Sequence, residues 1–116
     1  MSLTIEQIAE AVCSHRFAKT FPYMADDIIW TMIGREKLIG REAVIAHCNK
    51  GLKFLETVST TELQLKIYCA ETCVIVEGAA QFQDKEDQTS SVASCDIFRF
   101  SDGRLVEIKS YVIDNP

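Results

Sequence analysis

Hydrophobic positions recur at helical spacing in the first half of the chain and at a period of two in the second. Thr4-Ile5-Glu6-Gln7 has the form of a capping box, in which a threonine hydroxyl and a glutamine side chain satisfy the first amides of a helix reciprocally. Ile5, Ile8, Ala9 and Val12 follow on one stripe, which predicts an amphipathic helix over 4–14. Residues 17–24 are apolar and predict a second short helix, interrupted near Pro22 because proline has no amide proton. Asp26 and Asp27 then end that helix or lie in solvent. Residues 28–33 are β-branched or large, stop at Gly34 and read as a strand. Ile28, Trp30 and Met32 share one face of it, and Ile29, Thr31 and Ile33 the other. Both faces are mostly apolar, so cover is expected on both sides. A third helix is predicted over 41–56, with Val44, Cys48, Leu52 and Leu55 on its buried stripe. Gly51 lies inside it at a cost of about 1 kcal/mol relative to alanine.

From residue 60 the pattern alternates. Leu63, Leu65, Ile67 and Cys69 oppose Glu62, Gln64, Lys66 and Tyr68, as in a half-buried strand. Val74, Val76, Gly78, Ala80 and Phe82 share a face of the next strand. Residues 84–87 are a polar connection, 89–100 a further strand, 101–103 a turn signal and 104–114 the last strand. Helix, helix, strand, helix and four sequential strands define an α+β fold. Its expected form is a cone: a curved, mostly antiparallel sheet covered by three N-terminal helices. Space that the helices do not fill becomes a pocket.

The composition fits one globular domain spanning 1–116: 116 residues, 47% hydrophobic and 25% charged. Neither a signal segment nor a membrane anchor is expected. Seventeen acidic residues against 12 basic give a net charge of -5, with no basic block. Nucleic acid and membrane surfaces are therefore not expected partners. Five cysteines, Cys13, Cys48, Cys69, Cys73 and Cys95, show no metal-ligand spacing. They read as reduced thiols of a cytoplasmic protein, and neither metal nor cofactor is expected.

Strand parity selects the candidate chemistry. Val92, Ser94, Asp96, Phe98 and Phe100 share one side, so Asp96 points the same way as two phenylalanines. A carboxylate there is costly unless paired or protonated. Either it is a pocket acid, or a backbone amide or a hydroxyl such as that of Ser94 satisfies it. On the last strand Val106, Ile108, Ser110, Val112 and Asp114 share a face, which puts Asp114 near a pocket mouth or at a solvated strand end. His47, beside Cys48 on the third helix, is a candidate second proton carrier or a packed residue. His15 reads as a helix cap or surface group. Arg99 has the opposite parity to Asp96, so the two do not form a pair on one face.

The ordered set Met24-Ala25-Asp26-Asp27-Ile28-Ile29-Trp30, Gly40-Arg41-Glu42-Ala43-Val44, Asp96-Ile97-Phe98-Arg99-Phe100, Asp102-Gly103-Arg104-Leu105 and Asp114 resembles the SnoaL-like branch of the nuclear transport factor 2-like superfamily. The resemblance implies a cystatin-like cone with a deep apolar pocket and a homodimer formed through the open sheet face. Its members include polyketide cyclases, ketosteroid isomerases and epoxide hydrolases, as well as non-catalytic association domains. One fold hosts all of these, so the site must decide between them. Carried over by position, the isomerases' general base falls at Met32 and their oxyanion-binding tyrosine near Ile8. Only the pocket acid survives, at Asp96, which counts against classical ketosteroid isomerase chemistry. No inward arginine completes an epoxide hydrolase set.

The expected activity is binding of a small apolar molecule, with an isomerase, cyclase or lyase step using Asp96 as general acid or base. His47 or Asp114 would be the second proton carrier. Trp30, Met32, Phe98, Phe100, Ser110 and Val112 would contact the substrate. The alternative is a non-catalytic ligand-binding or dimerisation module.

Overall fold

The computed structural model describes residues 2–115. Helix α1 spans Ile5–Cys13, and its capping box is formed in both directions between Thr4 and Gln7. Ile8, Ala9 and Val12 are buried, as their spacing predicts. A 3-10 helix, Ala18–Tyr23, follows, with Pro22 inside it. Strand β1 is Met24–Met32, β2 is Glu36–Ile39 and helix α2 is Arg41–Leu55. Four long strands complete the chain: β3 Val58–Cys69, β4 Cys73–Asp84, β5 Thr89–Ser101 and β6 Arg104–Asn115.

The strands form one six-stranded, curved and unclosed sheet in the order β2-β1-β6-β5-β4-β3. All neighbours are antiparallel except β1 and β6, which run parallel. Register shifts interrupt the β1–β6, β3–β4 and β5–β6 ladders. Such bulges bend and twist the strands that carry them. Asp102 and Gly103 both have positive φ, 50° and 78°, and join β5 to β6. That geometry gives a hairpin turn whose twist matches the flanking strands, and the Asp-Gly pair adopts it readily.

The core lies between the helices and one end of the sheet. Ile8, Met24, Ile28, Val44, Cys48, Val74, Val76, Phe98, Leu105 and Ile108 are fully buried there. Toward their other ends, β3–β6 run out from under the helices and burial falls away along each strand.

Four expectations are corrected. β1 begins at Met24 rather than Ile28, so Asp26 and Asp27 are exposed strand residues and not a helix end. β2 is an additional strand that pairs the free edge of β1; its four residues, two charged and then two apolar, do not alternate and so carry no strand pattern. The outer face of β1 is not fully covered, since Ile29 and Thr31 are half-buried and Ile33 is exposed. On α2 only Val44 and Cys48 are buried. Leu52 and Phe54 are exposed because the helix overhangs the end of the core. Gly51 sits beside the Phe17 ring, where a Cβ would make an ordinary van der Waals contact at 3.9 Å.

Candidate active site

Where the helical cover ends, a cavity of about 210 Å³ lies against the inner face of the sheet. The end of α1 and the segment after it supply Val12, Cys13, His15 and Phe17. The sheet supplies Trp30 from β1, Leu63 and Leu65 from β3, Gly78, Ala80 and Phe82 from β4, Val92, Ser94 and Asp96 from β5, and Val112 from β6. Small residues on β4 leave room here. A Cβ on Gly78 would stand 2.7 Å from the Ser94 Oγ and 3.4 Å from the Leu65 Cδ2. Phe54 of α2 meets Phe82 edge-to-face, with ring centroids 6.3 Å apart.

Asp96 is the sole carboxylate among the described lining residues. Burial among apolar neighbours raises its pKa above the ordinary carboxylate value. Hydrogen bonds from Ser110 and Cys13 oppose that shift. Ser110 is the cross-strand partner of Asp96 in the β5–β6 register, so the two side chains share a face. It is 3% exposed, and its Oγ also accepts the Trp30 indole N–H at 2.8 Å. From α1 the Cys13 thiol donates to the Asp96 Oδ2 at 3.8 Å. Burial, and then the Asp96 carboxylate, push the Cys13 pKa far up, so the sulfur stays a protonated donor and not a nucleophile.

His15 adds an imidazole to the same wall. It follows the last turn of α1 in the left-handed region, φ 65°, which histidine tolerates better than most residues. Its ring stands edge-on to Phe17 with centroids 5.8 Å apart. Burial lowers its pKa, which favours the neutral ring. Among the described residues, no three His, Cys, Asp or Glu side chains converge as a metal site requires. One partly shielded carboxylate facing an apolar hollow can accept a hydrogen bond or a proton from a bound molecule.

The family described as SnoaL-like domain matches residues 5–108. The chain belongs to the SnoaL-like family. Solved structures agree on the fold. An NTF2-like protein of unknown function from Cytophaga hutchinsonii is 30% identical, with a TM-score of 0.81 over 91% of this chain and 93% of that one. A structure described as a SnoaL-like polyketide cyclase from Mesorhizobium loti is 15% identical, with a TM-score of 0.69 over 90% and 92%. An epoxide hydrolase-like structure from M. tuberculosis is 16% identical, with a TM-score of 0.70 over 93% and 81%. No curated protein matches. Among the described residues, no helix of this SnoaL-like chain is long and apolar enough to cross a membrane.

The residues singled out from the sequence separate into those at the cavity and those away from it. Asp96, Trp30 and Val112 line it, and Ser110 lies directly behind, bonded to Trp30. His47 does not line it. It packs edge-on to Trp30, with centroids 5.1 Å apart, and its Nδ1 is 4.0 Å from Glu36. Burial lowers its pKa, Glu36 opposes this and Lys50 adds to it. Asp114 lies in solvent beyond the cavity, 3.6 Å from Arg35. Phe98 and Phe100 have the parity of Asp96 but sit deeper, inside the core, and Met32 is half-buried against that core. Cys13 and His15 are the cavity groups that the sequence did not mark as such.

Proposed function

We propose that this SnoaL-like domain binds a small, largely apolar molecule in the cavity and moves a proton on it with Asp96. Isomerase, cyclase or lyase chemistry on a carbonyl compound fits that role. The observation that carries the reading is a single carboxylate, beside two donors, set into a largely apolar hollow. Size narrows the ligand. A cavity of about 150 Å³ lined by hydrocarbon takes up benzene, so about 210 Å³ suits one ring with a polar substituent.

Cyclohexanone is a suitable probe. Exchange of its α-hydrogens in deuterium oxide, followed by proton NMR, is expected to accelerate with the wild-type protein. Asp96→Asn should remain folded and lose about 10²–10⁴-fold of that acceleration, the usual worth of a positioned base. No acceleration by the wild type would remove the catalytic part of the reading and leave binding.

Binding without turnover is the second reading. It is favoured by apolar residues at Met32 and Ile8, where the family resemblance places the isomerases' base and tyrosine. On either reading we propose a cytoplasmic homodimer joined through the outer sheet face. Tyr68, Ile75, Ala93, Cys95, Tyr111 and Ile113, with Glu77 among them, form a largely apolar hollow there, and Ile113 is 65% exposed. Five free thiols suit a reducing compartment.

A further inference from the structure

We infer that Ser110 and Trp30 are positioning residues that hold Asp96 in an accepting state, so that the cavity selects ligands that offer a hydrogen. This deepens the reading of the cavity as a ligand site and rests on it. The class comprises phenols, enols, alcohols and carbon acids with a C–H beside a carbonyl. Ligands that can only accept a hydrogen bond are disfavoured.

The argument is one of hydrogen-bond direction. An indole N–H can only donate, and at 2.8 Å it occupies a lone pair of the Ser110 Oγ. Ser110 is buried away from solvent, so its single hydroxyl hydrogen must find a protein acceptor. The acceptor beside it, in register across the β5–β6 ladder, is the Asp96 carboxylate. Cys13 approaches the same carboxylate from α1 as a second donor. Among the described residues, no buried side-chain nitrogen or oxygen lacks a partner; for the Ser110 Oγ that partner is the indole, and the hydroxyl hydrogen is what the relay assigns to Asp96.

A carboxylate has about four acceptor positions. Cys13 approaches one at 3.8 Å, the relay assigns a second to Ser110, and the remainder are available toward the cavity. A protonated Asp96 could still accept from both neighbours with its own hydrogen turned to the cavity; two donors favour the ionised form, in which every cavity-facing position accepts. Burial works against the ionised form, and the two donors work for it. No full charge in the packing around Asp96 alters this balance. Its partner on β4 is Val76, its partner on β6 is Ser110, Trp30 stands behind on β1, and α1 contributes the Cys13 thiol. His15, on the same cavity wall, is held toward neutrality by its burial.

Two measurements test this. Trp30 is the single tryptophan, so its indole N–H gives one resonance. Protonating Asp96 should move that resonance through Ser110, with the midpoint seen at the Asp96 carboxyl carbon. Asp96→Asn should flatten the indole titration, and Ser110→Ala should raise the carboxyl midpoint. Where Ser110→Ala fails to fold, Trp30→Phe frees the hydroxyl and should raise the same midpoint. An indole titration that survives Asp96→Asn, or a midpoint unmoved by the variants, overturns the relay.

The second measurement compares phenol with anisole, which keeps the ring and removes the donated hydrogen. Phenol is expected to bind at least about tenfold more tightly at pH 7, the scale of one hydrogen bond to a charged group. Equal affinities overturn the inference while leaving the cavity reading intact. If neither binds, the cavity reading fails, and the indole titration still decides the relay.

Discussion

Asp96 lies beneath hydrocarbon with two donors attached, and this has a direct consequence for stability. Its pKa is raised by folding, so the folded protein holds that proton more tightly than the unfolded chain does. The stabilising share is therefore complete below the unfolded carboxylate range and is lost as pH rises through the folded value. Asp96→Asn removes the ionisation. It should raise the melting temperature at pH 7 relative to the wild type and lose that advantage near pH 3, as followed by circular dichroism. An advantage that does not change with pH would contradict the buried-charge account. Parity made Asp96 legible, because a strand turns alternate side chains to one face whatever its surroundings. It could not say how far along that face the core gives way to the cavity. Phe98 and Phe100 therefore fell on the core side, and Asp114 beyond the cavity in solvent. His47 depended on the azimuth of α2 relative to Trp30, which is set by tertiary packing. Cys13 and His15 depended on how the chain leaves α1, including a positive φ that no local pattern announces.

At the scale of elements, hydrophobic period marked out α1, α2 and the four long strands to within a few residues. It missed β2, whose four residues, Glu36-Lys37-Leu38-Ile39, are too few and do not alternate. β2 exists because the outer edge of β1 has backbone groups to satisfy, a tertiary requirement rather than a local one. Short, charged edge strands also resist pairing with other chains. β4 determines the cavity by what it lacks. Gly78→Val would fill the space beside Ser94 and Leu65. It should cost about 1–3 kcal/mol by overpacking and abolish phenol binding, read by chemical denaturation and by titration calorimetry. Unchanged binding would mean that Gly78 does not form the wall of the occupied space.

At the scale of the molecule, the sheet has two unlike faces. The inner one is covered at one end by helices, whereas the outer one leaves Tyr68, Tyr111 and Ile113 exposed. Ile113→Asp places a second carboxylate in that outer hollow, which Glu77 already lines. It should weaken the proposed dimer at least about tenfold, because an unpaired charge is costly to bury. Sedimentation velocity at micromolar concentration reads this directly, and a monomeric wild type would end the dimer proposal. The cone and its covering helices were legible as a whole because the element order leaves few topologies. The parallel contact between β1 and β6 was not, since no turn or loop length encodes it.

That contact also orders events in time. Trp30 and Ser110 are 80 residues apart, and closing so long a loop costs more chain entropy than closing any of the hairpins. On a ribosome, β1 emerges with β2 long before its other neighbour exists. The β3–β4–β5 meander can form meanwhile, but the indole has no hydroxyl to meet until residues 104–110 arrive. Assembly of the binding chamber is thus postponed to the closing stage of folding, when the newest strand slots between the oldest, β1, and its own immediate predecessor, β5.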